Sequence, residues 1–313
     1  MYKELIFLSF LILFNIFYSL FFSYDKNIEK VSFIIEPGMK LNEISEQLYY
    51  EEIISNKFAF KLWNKINFLE KKIKYGEFYI EGRNSIYNVT NKLSSGQKVY
   101  RKITLIEGSS KYDLLKILKE IDPKSSLKLY DIPDMIVADT YNYTVTDDSR
   151  RILDYMIKTS KRFSENIWEE RNKEIPINKI SEMHILASIV EKESALKSEK
   201  NKIAGVFFNR INLGMRLQSD PTVEFAITMG EKKLDRKLLR KDLKIDSEYN
   251  TYMISGLPPS IICFPGKDSL VAVSKPYKSD FLYFVSKRRN GEHFFSTTYK
   301  EHLKRIREVK NVK

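Results

Sequence analysis

ILASIVEKESALKSEKNKIAGVFFNRINLGMRLQSDP, running from Ile185 to Pro221, is the stretch on which the reading of this chain turns. At its start Met183, Leu186, Ile189 and Val190 recur at steps of three and four residues, the spacing of an apolar helix face. Wound at about 100° per residue, Ile185, Leu186, Ile189 and Val190 share one side. Glu193 comes four residues after Ile189 and seven after Leu186, so it falls near the middle of that side. Glu191 and Lys192 point away from it, toward expected solvent. A carboxyl on an apolar stripe has two readings. Either the helix frays at Ser194 and Glu193 reaches water at its end, or Glu193 lines a cleft, half desolvated. Desolvation disfavours the charged form and raises a carboxyl pKa, which suits a general acid working near neutral pH. Glu182 projects onto the same side, but from the first turn, where an acid favours the helix dipole.

Four blocks then carry a resemblance: SIVEKES (Ser188 to Ser194), VFFNRINLGMRLQSDPTV (Val206 to Val223), YNTYMISGLPP (Tyr249 to Pro259) and FPGKDSL (Phe264 to Leu270). In this order and spacing they resemble the endolytic murein transglycosylases of the YceG-like family. With a weaker N-terminal similarity, the resemblance covers nearly the whole chain. It implies that the second Glu of the E-K-E triplet, Glu193, is catalytic, the same residue the helical wheel selects over Glu191. It implies peptidoglycan glycan strands as substrate, cleaved within the strand at the MurNAc-β-1,4-GlcNAc bond with a 1,6-anhydro-MurNAc end. A water-using muramidase and a non-catalytic wall-binding or division scaffold are the alternatives. The bulk of the chain would then lie outside the cytoplasm on the bacterial inner membrane, where peptidoglycan synthases or division proteins are the protein partners to expect. Two positions depart from the family pattern: Ala138 replaces a proline before Asp139-Thr140-Tyr141, and Phe264 replaces a small or polar residue.

Around Glu193 the sequence offers a supporting cast. A second helix is expected over about 199–212, with Ile203, Val206, Phe207 and Ile211 on one face and Gly214 as its C-cap. Asn209 and Arg210 occupy its last turn. Arg210 either satisfies the helix C-terminus or hydrogen-bonds substrate or the catalytic carboxylate. Met215 to Gln218 reads as a short strand, followed by Asp220 as N-cap and Pro221 as first helical residue. Gln218, just outside that turn, is placed to touch sugar hydroxyls or N-acetyl groups. Asn250 and Tyr252 stand in a loop rich in aromatic, amide and Gly/Pro residues that suits a cleft wall. The substrate-contacting set is therefore Gln218, Asn209, Arg210, Asn250, Tyr252 and Asp220. His293 reads as a strand histidine rather than a base, within a hairpin turning at Arg289-Asn290-Gly291.

Composition narrows the classes. Of 313 residues 43% are hydrophobic and 30% charged, ordinary for globular protein, and the length suits two domains. Cys263 is the only cysteine, so no intrachain disulfide can form, and the three histidines make no metal-ligand spacing. The residues call for no metal and no cofactor. The net charge of +12 invites a nucleic-acid reading. However, the lysines are spread along the chain without a recognition motif, so a solvated basic surface is expected, with attraction to anionic membrane or wall as a further option.

Leu5 to Phe22 is an apolar run of 18 residues, long enough to span a bilayer as a helix. It ends in Phe21-Phe22-Ser23-Tyr24, a poor cleavage site, so an uncleaved anchor is expected. Beyond it a pattern recurs at Phe33 to Leu48, Tyr79 to Leu93 and Leu105 to Leu118: a β-prone dipeptide, Glu, a Gly turn, then helical spacing. Gly38, Gly82 and Gly108 stand where a strand-to-helix turn favours positive φ. The pattern is either a structural joint or a LysM-like glycan-binding module, and the resemblance implies the latter for the first copy. The expected fold is α+β: an N-terminal transmembrane helix (1–24), a LysM-like α/β module (25–100), a connecting subdomain (101–178) holding a further copy and a basic helix over Arg150 to Arg171, and a mixed α+β catalytic domain (179–313).

Overall fold

A computed structural model describes residues 2–22, 28–82, 84–287 and 291–311. By contacts the chain divides into two units, one formed by 1–102 with 142–147 and the other by 103–141 with 148–313.

The first unit begins with helix α1 (Tyr2–Phe21), whose mean hydropathy of 2.0 makes it long and apolar enough to cross a membrane. Strand β1 (Ile28–Ile35), helices α2 (Leu41–Tyr50) and α3 (Lys57–Ile66), strand β2 (Gly76–Gly82) and helix α4 (Ile86–Ser95) follow. The two strands pair antiparallel with Phe33 opposite Phe78, which puts both rings in one core with Leu48, Phe60, Val89 and Leu93. The C-terminal turns of α1 pack on the same unit: Ile16 and Leu20 rest on that core, and Phe21 meets Trp63 edge-on at 5.6 Å. The amide of Asn56 caps α3 by accepting from the Ala59 N–H, and also donates to Asn15.

Strand β3 (Arg101–Thr104) carries the chain from the first unit to the second, which contains helix α5 (Lys111–Ile121). Strand β4 (Thr140–Tyr143) precedes helix α6 (Ser149–Glu169), with Asp148 as its N-cap. Then come α7 (Ile180–Glu193), α8 (Lys197–Asn212), α9 (Asp220–Thr228) and α10 (Lys267–Ser274). Strands β5 (Tyr283–Ser286) and β6 (His293–Ser296) pair antiparallel, and α11 (Tyr299–Asn311) ends the chain. Arg289 and Asn290 of the expected hairpin turn lie outside the described residues.

The expected turn glycines do take left-handed backbone: φ is 89° at Gly38, 79° at Gly82 and 80° at Gly108, each shortly before a helix. The third copy is woven into the second unit, because Gly108 N–H donates to Phe264 O and Phe264 N–H donates to Ser109 O. Ala138 N–H likewise donates to Pro265 O. One expectation is corrected here. Met215 to Gln218 does not pair as a strand; Gln218 turns to φ 50°, which breaks the alternation a ladder needs.

α7 runs through the middle of the second unit. Every residue from Met183 to Val190 is buried, so the helix is wrapped on all sides rather than on one stripe. Leu186, Ile189 and Val190 pack with Phe207 of α8 and with Leu270 and Val273 of α10. Even His184 is inside, its Nε2 within 2.8 Å of Ser164 Oγ.

Candidate active site

The E-K-E triplet sits at the C-terminal end of this buried helix, and its two acids have different neighbours. Glu191 does not reach solvent as expected. Its side chain is 6% exposed and holds Lys200 Nζ of α8 at 2.7 Å, while its other oxygen accepts from Gly266 N–H and Ser269 Oγ. The physical reason is that α8 and the start of α10 close over that side of α7, so no face of the helix end is left to water. Glu191 is thus a fully satisfied structural ion partner joining three helices.

Glu193 is the last helical residue, and Ser194 follows in extended conformation. The helix does stop there, but the carboxyl turns into a cleft rather than out to water, as the second reading expects. Glu193 Oε1 accepts from Ser219 Oγ at 2.5 Å. Burial pushes the carboxyl up to about 7; Asp220 nearby adds to the rise, while the Ser219 hydrogen bond and the charge of Arg210 oppose it. At neutral pH the group is poised between proton donor and proton acceptor.

The cleft has a volume of about 580 Å³ and is lined by Glu193, Arg210, Gln218, Asp220 and Tyr252, faced by Tyr283, His293, Tyr299 and His302. Arg210 is held by its carbonyl contacts: Nε donates to Leu282 O and Nη1 to Leu217 O, both at 2.7 Å. The guanidinium therefore serves other segments than its own helix end, and its central carbon lies over the Tyr283 ring, 5.3 Å from the centroid. Asp220 is the first residue of α9, with Ser219 at the N-cap position, one residue earlier than expected. Its carboxylate accepts from the Tyr252 hydroxyl at 2.7 Å.

The other two expected contact residues lie elsewhere. Asn209 Nδ2 donates to Ser279 O and Phe281 O, and Asn250 Nδ2 donates to Leu243 O and Ile245 O. Neither lines the cleft. Asn250 is completely buried and its Oδ1 accepts from Tyr252 N–H, so it shapes the loop that presents Tyr252. Side-chain amides satisfied by backbone carbonyls have no donors left for a sugar.

His293 is held as a strand histidine: Glu199 accepts from its N–H at 3.0 Å and meets Nδ1 at 2.8 Å. Tyr283 and His302 stack at 5.2 Å with 22° between planes, forming an aromatic wall that periodicity alone does not reveal. The packing of α11 on β5 brings Tyr283 and His302 together. Ser219 was also missed, because a serine between glutamine and aspartate reads as turn chemistry.

The cleft thus combines one glutamate with a raised carboxyl pKa, a buried arginine and an aromatic wall. Residues 33–308 match the model of the YceG-like family, and the chain belongs to that family. It is 30% identical over 305 residues to an endolytic murein transglycosylase of Bacillus subtilis, covering 88% of this chain and 83% of that protein. It is 29% identical over 222 residues to the endolytic murein transglycosylase of Streptococcus pneumoniae, covering 69% of this chain but only 39% of that longer protein. Among solved structures, a YceG-like protein from Listeria monocytogenes superposes with a TM-score of 0.56 at 27% identity, covering 89% of this chain and 99% of that one.

Proposed function

We propose that this chain is a membrane-anchored lytic transglycosylase that cuts the MurNAc-β-1,4-GlcNAc bond within peptidoglycan strands and so limits their length. One observation carries the reading: Glu193, at the inner end of a buried helix, opens on a cleft with its carboxyl raised to about 7. The names of the relatives support the same chemistry. The apolar α1 supports a single-pass anchor, and the murein substrate in the relatives' names supports a cleft on the extracytoplasmic side. The strand–helix–helix–strand order over 28–82 supports a LysM-like, glycan-holding role for the first unit.

Protonated Glu193 gives its proton to the glycosidic oxygen as the anomeric C–O bond breaks through an oxocarbenium-like transition state. The muramyl 6-hydroxyl then attacks the anomeric carbon, and the Glu193 carboxylate takes its proton. No water is consumed and the enzyme returns to its starting form. Gln218 and the Tyr283–His302 wall would hold the sugars, and Arg210 would steady the carboxylate between the two transfers.

Asp220 supports a second reading. It is another carboxylate in the cleft, and ordinary glycosidases pair two such groups to activate water or form a covalent intermediate. Its hydrogen bond to Tyr252 and its effect on Glu193 favour an electrostatic role instead. Digestion of purified glycan strands decides by mass: 1,6-anhydro ends are expected, and reducing ends would establish the hydrolase. Glu193→Gln keeps the shape and removes the acid. Cleavage is expected to fall by at least about 100-fold with strand binding retained; surviving cleavage would overturn the assignment, and loss of binding as well would make Glu193 a substrate-holding residue rather than the acid.

A further inference from the structure

We propose that Ser219 dictates which oxygen of Glu193 carries the transferable proton, and that a ring of buried hydroxyls around Ser219, from Thr222 and Thr251, keeps that choice through both proton transfers. The proposal rests on Glu193 being the acid–base.

The ring follows from counting donors, since each hydroxyl has one proton to give. Ser219, Thr222 and Thr251 are all buried, at 1%, 0% and 0% exposure. Thr222 Oγ1 donates to Ser219 O at 2.6 Å, which uses its only proton. The 2.8 Å contact between the two threonine hydroxyls must therefore be a donation from Thr251 to Thr222. Thr251 Oγ1 in turn accepts from Ser219 N–H at 2.9 Å. Ser219 is thus clamped at both its N–H and its carbonyl. Gln218, immediately before it, is held at φ 50° with its N–H on Thr251 O, so the approach to Ser219 is fixed by a strained residue.

With its backbone fixed, Ser219 aims its hydroxyl at Glu193 Oε1. Oε1 is the acceptor the Ser219 hydroxyl has among the described residues, so it stays the acceptor when Glu193 is neutral, and the carboxyl proton resides on Oε2. Oε2–H protonates the glycosidic oxygen, which keeps the electron pair of the broken C–O bond. When the muramyl 6-oxygen bonds to the anomeric carbon, its proton goes to Oε2. Ser219 keeps its own proton throughout, and its bond to Oε1 strengthens while the carboxylate is charged. The ring thereby offsets part of the burial that raises the Glu193 carboxyl.

The test is kcat against pH on purified glycan strands, with the full-length chain in detergent. Ser219→Ala is expected to lower kcat by about 10- to 100-fold and to move the alkaline limb to higher pH, because the charged form loses a donor. Ser219→Thr, which keeps the hydroxyl, is expected to leave the limb in place. Thr251→Val frees the Ser219 N–H and should move the limb the same way by less. An unmoved limb in Ser219→Ala, or the same loss in Ser219→Ala and Ser219→Thr, would reduce Ser219 to packing. If Ser219→Ala does not fold, Thr251→Val decides, and a wild-type profile there overturns the ring. Glu193→Gln run in parallel separates the two failures: cleavage by that variant sinks the acid–base reading itself, whereas an inactive Glu193→Gln beside a wild-type-like Ser219→Ala sinks only the ring.

Discussion

A carboxyl enclosed at the end of an apolar helix costs folding free energy whenever it is charged. Glu193 has its folded pKa raised from 4.5 to about 7. Between those values the folded state binds more protons than the unfolded state, so stability falls as pH rises from about 4.5 to 7 and levels off above. Glu193→Gln removes that slope. It is expected to gain on the order of 2 kcal/mol above pH 7, after discounting for the open cleft, and nothing at pH 4. Urea midpoints of both proteins at pH 5 and pH 8 check this; a difference that fails to widen toward pH 8 would mean the carboxyl is not desolvated. At this scale the sequence was legible where periodicity reports it. Glu193 stood out because it broke an apolar period, while Ser219 broke nothing and its role depends on two threonines, one of them more than thirty residues away in the chain.

Among the elements, α7 works as a rod with two different acids at its tip. Glu191 ties it to α8 through Lys200 and to the start of α10, and Glu193 faces the cleft. A buried ion pair of this kind is costly to break from one side, because the remaining charge stays desolvated. Lys200→Met is therefore expected to destabilise by about 3–5 kcal/mol, and the double change with Glu191→Gln to recover part of that loss. Denaturant curves with a full double-mutant cycle measure it; a loss in the double variant equal to the sum of the two single losses would show that Glu191 and Lys200 are not coupled. The helices were readable from spacing and caps, since α6, α7 and α8 fall within a few residues of where they are expected. What spacing could not convey is how many neighbours a helix has. One apolar stripe was visible for α7, whereas the structure buries all of its sides, and for that reason Glu191 was assigned to water. Asn209 and Asn250 were misjudged on the same ground: a side-chain amide looks available until the carbonyls that occupy it are known.

On the scale of the whole chain, α1 and the cleft belong to different units, so their contributions can be separated. Every residue lining the cleft lies within 193–302 of the second unit, whereas α1 packs on the first. A chain starting at residue 23 is expected to leave the membrane fraction in flotation, and to cut soluble glycan strands with kcat within about twofold of the full chain. The first unit should still register the deletion, because Ile16, Leu20 and Phe21 cover part of its core and the Trp63 ring. Losing that partial burial is worth about 2 kcal/mol, so calorimetry should show the first unit melting earlier and the second unchanged. Continued flotation without α1 would remove it as the anchor. A tenfold fall in kcat would mean that α1 and the cleft do not act independently.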